Sequence, residues 1–151
     1  SRMLQDASPT LFISPIKKKG RSRDVLSHDE LGKELETIGI TFDMLELLTG
    51  LRVTNYEEDN QHFHFDVAQS STSELQKTLS LVYRLTIQKK IDQTAEINYV
   101  PIFKKDGEDL EVLRSVLPEY FFDNLTFPYN TLSQFYTKGN RALKKGVKLK
   151  V

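Results

Sequence analysis

From residue 51 onward, apolar and polar positions alternate with a period of two, the signature of half-buried strands. Leu51-Arg52-Val53 leads into an acidic turn, Glu57-Glu58-Asp59-Asn60, after which Phe63, Phe65 and Val67 alternate with His62, His64 and Asp66. The apolar set faces the core and the polar set faces out. Gln69 to Ser73 reads as a polar loop. Leu79, Leu81, Tyr83, Leu85 and Ile87 form the next alternating run, Lys89 to Thr94 turns, and Ala95, Ile97, Tyr99, Pro101 and Phe103 make another. Antiparallel hairpins suit these spacings, and Pro101 belongs at an edge or a strand end.

Helical spacing brackets the strands. Ser27-His28-Asp29-Glu30 has the form of a capping box, with Leu31 and Leu35 one turn apart. The spacing predicts a short helix to about Glu36, broken by Gly39. A second, core helix capped by Thr41 or Asp43 carries Phe42, Met44, Leu45 and Leu48 inward and ends at Gly50. After a charged turn at Lys104 to Asp109, Leu110, Leu113 and Val116 open a helical half. Pro118 suits the first turn of a helix reaching about Asn124. Phe127-Pro128 stops that helix, and Asn130 or Thr131 caps another containing Leu132, Phe135, Tyr136 and Leu143. Lys138 to Lys150, with six basic residues and no acidic one, reads as a tail that frays or touches an acidic partner. The sum is an α+β domain: an antiparallel sheet of about four strands with helices on one face.

Leu117 to Tyr136 is the richest stretch in rings, seven of twenty residues. Phe122, Phe127, Leu132 and Phe135 read as core. A helix of seven residues cannot hide Tyr120, Phe121, Phe122 and Leu125 on one face, so a ring lies at the surface, and an exposed apolar patch beside a tyrosine hydroxyl suits a protein-binding cleft.

Composition narrows the chemistry. A chain of 151 residues makes one domain with or without a tail, and its formal net charge of zero gives no global pull toward nucleic acid or lipid. Residues 1–23 carry six basic residues and one acidic, whereas 24–151 carry fifteen basic and twenty acidic, so the arm can lie on the body. There is no cysteine. That leaves no disulfide framework, no Cys-based zinc site and no thioester chemistry of the conjugating-enzyme kind. No Gly-x-Ser-x-Gly elbow is present either, and His28, His62 and His64 lack a nucleophile pattern. His62, His64 and Asp66 on one strand face offer two imidazoles and a carboxylate but no fourth metal ligand, so they read as exposed strand residues. No cofactor or metal is expected. No apolar run approaches a membrane span, and a nuclear or cytoplasmic setting follows. Ser1 to Arg23, with Pro9, Pro15 and Gly20, has little to bury. Its compact apolar group, Leu11-Phe12-Ile13, can serve as a short linear motif for a groove, and Ser22 and Ser27 are candidate phosphorylation sites.

Leu117-Pro118-Glu119-Tyr120, Leu125-Thr126-Phe127-Pro128 and Leu132-Ser133-Gln134-Phe135-Tyr136 lie downstream of Leu51-Arg52-Val53, Tyr56-Glu57-Glu58-Asp59 and Tyr99-Val100-Pro101. Together these resemble the globular, RWD-like domain of the dimeric chromosome-segregation subunit of the budding-yeast monopolin complex, also called cohibin. The similarity covers about Thr41 to Lys145. The resemblance implies a non-enzymatic crosslinker in the nucleus, at the kinetochore and nucleolus. It joins sister kinetochores in meiosis I and tethers silencing factors at ribosomal DNA. Its partners are a kinetochore receptor peptide, other monopolin subunits and nucleolar rDNA-silencing proteins, held as short segments in a surface cleft. Carried over by position, Tyr120 and Leu125 match the cleft, and Phe121 is added from the exposure argument. In the family a dimer-forming coiled coil precedes the head, and residues 1–33 show no sustained heptad. The expected organisation is a basic arm or fused partner peptide over 1–33, with Leu11, Phe12 and Ile13 as docked motif, and a peptide-binding head over 34–151. The alternative is a chromatin protein contacting nucleic acid through its basic tails.

Overall fold

The computed structural model describes residues 27–104 and 107–150. The chain divides into two compact units, 1–45 and 46–151. The first contributes most of helix α1 (His28–Thr49), and the second holds its last turn and everything that follows. After α1 come β1 (Leu51–Glu58), β2 (His62–Thr72), β3 (Thr78–Gln88), β4 (Glu96–Pro101), α2 (Leu110–Val116), a 3-10 turn (Glu119–Phe122), β5 (Leu125–Pro128), a second 3-10 turn (Tyr129–Thr131) and α3 (Leu132–Val147).

Gly39 does not break α1. A glycine inside a helix costs about 1 kcal/mol, too little to stop a segment that starts well: Glu30 N–H donates to Ser27 Oγ at 3.1 Å, which is the expected cap. The stop comes at Gly50, whose φ of +72° favours glycine. A Cβ there would also lie 2.3 Å from the Ser70 carbonyl oxygen. The helix is continuous across the 33/34 boundary expected between arm and head. It is not a core helix either, for it has no buried residue, and Phe42, Met44, Leu45 and Leu48 are exposed. Continuity brings out a spacing that two separate helices would split: Leu31, Leu35, Ile38, Phe42 and Leu45 recur at four, three, four and three residues, a heptad seam.

Among the described residues the sheet has five strands in sequential order, all antiparallel. β2 and β3 pair without interruption from His62↔Gln88 to Thr72↔Thr78. Gln69, expected in a loop, is thereby a strand residue, fully buried on the face that also carries Val67, Leu81 and Tyr83. Its amide is satisfied, as burial demands: Tyr83 O–H donates to Gln69 Oε1 at 2.9 Å, and Gln69 Nε2 donates to the Tyr136 carbonyl at 3.1 Å.

α3, with α2 packed against it, covers that one face. The residues after Lys138 do not fray, because Gly139, Ala142, Leu143, Gly146 and Val147 are the buried side of α3. Six basic residues without an acid are compatible with a helix whose opposite side faces water. Gly146 lets α3 approach β3, since a Cβ there would sit 2.5 Å from Leu79 Cδ2 and 3.0 Å from Val116 Cγ2.

Candidate functional site

Instead of the helix expected from Pro118 to Asn124, the chain makes one 3-10 turn and then adds β5 at the edge of the sheet. Pro128 ends β5 rather than a helix, as suits an edge strand. A 3-10 turn repeats every three residues, so Pro118 and Phe121 share one side and Tyr120 points elsewhere.

That difference corrects one site residue. Phe121 is 0% exposed and cannot touch a partner. Its ring stacks on Phe135 at 4.7 Å between centroids and meets Tyr99 edge-on at 6.0 Å. Its carbonyl accepts the Tyr99 hydroxyl at 2.7 Å. Burial pushes the Tyr99 hydroxyl well above its ordinary pKa, so it remains a donor and pins the turn to β4. One ring of the run does stay outside, and it is Tyr120. A three-residue period laid on Pro118 to Phe121 would have picked it out.

Tyr120 is 38% exposed. Its ring centroid lies 5.3 Å from that of Phe121 and 5.7 Å from Lys138 Nζ on α3. Leu125 begins β5 opposite Tyr99 and is half-buried against the core. The structure therefore keeps Tyr120 and Leu125 accessible in part, five residues apart, on a floor of core aromatics. Phe127, next on the same face of β5, stacks on Phe135 at 4.9 Å.

Backbone at the sheet edge adds a second kind of contact. Tyr129 N–H donates to the Ala95 carbonyl at 3.0 Å. With Phe127↔Ile97 and Leu125↔Tyr99 in register, Thr126 is the β5 residue whose N–H and C=O point away from β4. An extended segment laid beside β5 thus meets a backbone donor and acceptor next to an apolar floor.

The other candidates are placed differently. His62, His64 and Asp66 share the outer sheet face but do not converge. His64 Nδ1 meets Thr86 Oγ1 at 2.9 Å and its Nε2 meets Asp59 Oδ2 at 3.0 Å, while Asp66 takes Arg84 Nε at 2.7 Å. Among the described residues no group of three or more His, Asp or Glu is placed to hold a metal ion. Leu11, Phe12, Ile13 and Ser22 lie outside the described residues. A polar cavity of about 800 Å³ opens beside the last turn of α1, lined by Arg52, Ser70, Tyr136, Asn140 and Lys144 among others. Tyr136 O–H donates there to the Thr49 carbonyl, tying α3 to the end of α1. No described helix is long and apolar enough to cross a membrane.

Comparison with known proteins bears on the same region. Residues 39–130 match the family model described as chromosome segregation protein Csm1/Pcs1. The monopolin complex subunit CSM1 of Saccharomyces cerevisiae is 33% identical over 119 residues, covering 77% of this chain and 63% of that protein. This chain thus spans less than two thirds of that relative's length. Among solved structures, Candida glabrata Csm1 in complex with Dsn1(14-72) is 35% identical with a TM-score of 0.62, covering 71% of this chain and 97% of that one. The S. cerevisiae Ulp2-Tof2-Csm1 complex gives 33% identity and a TM-score of 0.61, covering 71% of this chain and 98% of that one. The chain belongs to the Csm1/Pcs1 family of chromosome segregation proteins.

Proposed function

We propose that this chain is a non-enzymatic adaptor whose head binds short protein segments at Tyr120 and Leu125. The reading rests above all on one coincidence. A relative 35% identical is solved with a Dsn1 segment, and in this chain Tyr120 remains exposed, followed five residues on by a half-buried Leu125 at an open strand edge. Apolar floor, aromatic rim and unpaired backbone suit an extended segment with an apolar anchor: desolvation supplies affinity, and the edge hydrogen bonds supply register. Binding of this kind needs no covalent step.

The segments are those of kinetochore and nucleolar proteins, since the relatives are solved with Dsn1 and with Ulp2 and Tof2. The chain thereby serves with other monopolin subunits in sister-kinetochore co-orientation in meiosis I and in rDNA silencing, inside the nucleus. Crosslinking needs two heads. The heptad seam of α1 provides the homodimer contact, about four turns of largely exposed apolar residues that a second copy would bury. Leu11-Phe12-Ile13 is the in-chain candidate for a docked motif. Calorimetric titration of Dsn1(14-72) into the wild-type chain and into variants at Tyr120 and Leu125 tests the reading. Undiminished affinity in both variants would remove it.

A further inference from the structure

Beyond the cleft, α3 and its C-cap residue Lys148 present a line of positive charge. Lys138, Arg141, Lys145 and Lys148 are all exposed and follow one another at three, four and three residues, which confines them to a sector of about 80° at 100° per residue. The opposite side of the same helix carries Phe135, Gly139, Ala142, Leu143, Gly146 and Val147 in the core, so the line cannot turn inward. Among the described residues none of the four forms an ion pair. Lys150, just beyond, does so, meeting Asp109 at 2.9 Å. On a chain with equal numbers of acidic and basic residues, a local run of unneutralised cations is a feature of this surface and not of the whole.

The line starts at the cleft. Lys138 holds its ammonium 5.7 Å from the ring centroid of Tyr120, so the first cation and the aromatic rim form one continuous surface. From Lys138 to Lys148 the helix rises about 15 Å, the reach of four to five residues of extended chain. We propose that this face of α3 binds an acidic stretch of the same protein segment whose apolar anchor sits at Tyr120 and Leu125, making the ligand bipartite: an anchor followed by about five residues rich in carboxylates. This rests on the cleft reading above for the anchor, while the charge line stands by itself. Its effect falls on selectivity and association rate, because exposed charges steer encounter and reject like-charged segments.

The test uses the full chain carrying Phe12→Ser, so that its own apolar triplet does not compete. Two fluorescent peptides of the Ser8 to Pro15 sequence are compared by anisotropy, one ending in five glutamates and the other in five glutamines. The glutamate peptide should bind about tenfold more tightly at low salt, as several exposed ion pairs together allow. The advantage should vanish near 1 M salt, where the screening length is ~3 Å, and in the triple variant Lys138→Glu, Arg141→Glu, Lys145→Glu. A milder triple glutamine variant guards against any folding defect of the first. Equal binding of the two peptides, including no binding of either, overturns the proposal. Retention of the glutamate advantage in Leu125→Asp keeps the charge line and removes the cleft. A short DNA duplex that binds through the same three cations while the two peptides stay equal assigns the face to nucleic acid and likewise overturns it.

Discussion

Tyr120 separates binding from folding more cleanly than its neighbours. With 38% of its surface exposed, it leaves on the order of 80 Å² for a partner to cover. At ~25 cal/mol/Å² that area is worth about 2 kcal/mol, or roughly a thirtyfold change in Kd. Tyr120→Ala should therefore weaken Dsn1(14-72) binding by about that factor. Folding should suffer much less, by under about 1 kcal/mol, because the ring is partly exposed and, among the described residues, its ring contacts are with Phe121 and Lys138. Leu125→Asp is the harsher companion. It sets a carboxylate opposite Tyr99, against the core, and should abolish binding at a cost of about 2–3 kcal/mol in stability. Calorimetry reports the affinity and urea denaturation reports the fold on the same samples. If Tyr120→Ala binds within twofold of wild type while remaining folded, the segment does not cover that ring and the cleft assignment fails.

Other predictions follow from separate parts of the molecule. Gly146→Ala should destabilise the head by about 1–3 kcal/mol, because the new methyl meets buried Leu79 and half-buried Val116. The ~1 kcal/mol gain in helix propensity is too small to offset that overlap, and a raised urea midpoint would refute it. Asp66 is held below its ordinary pKa first by the Arg84 hydrogen bond, and Asp59 first by His64 and then by the Gln61 and His62 N–H groups. With folded values below the unfolded one of about 3.9, protons favour the unfolded chain. This share of stability is complete above about pH 5 and drains as pH falls through the folded values. Asp66→Asn should flatten the acid limb of stability against pH, and an unchanged slope would count against the assignment. Phe42→Glu places a charge within the α1 seam and should convert the dimer to a monomer by light scattering without altering Dsn1(14-72) affinity per head. A dimer of unchanged tightness would show that the seam is not the contact.

Where alternation or capping chemistry is local, the chain could be read without coordinates. The runs His62 to Val67, Leu79 to Ile87 and Ala95 to Pro101 became β2, β3 and β4 with the expected faces inward. Ser27 and Gly50 mark the two ends of α1 as their side chains, or the lack of one, require. The family resemblance agreed with the family model, whose match over residues 39–130 takes in Leu117-Pro118-Glu119-Tyr120.

Readings failed where a segment's state depends on neighbours far along the chain. Leu125 to Pro128 is too short to declare itself a strand, and it is one because β4 offers it an edge. Gln69 looks like a loop residue until Tyr83 and the Tyr136 carbonyl, 14 and 67 positions away, take up its amide. Lys138 to Lys150 reads as a basic tail until Leu79 and the residues of α2 accept the buried side of its helical part. The choice of Tyr120 over Phe121 has the same origin, since burial of that ring comes from Tyr99 and Phe135. Periodicity and caps belong to the chain because they arise within a few residues, whereas edges, buried amides and exposed rings belong to the fold because distant segments must meet before any of them exists.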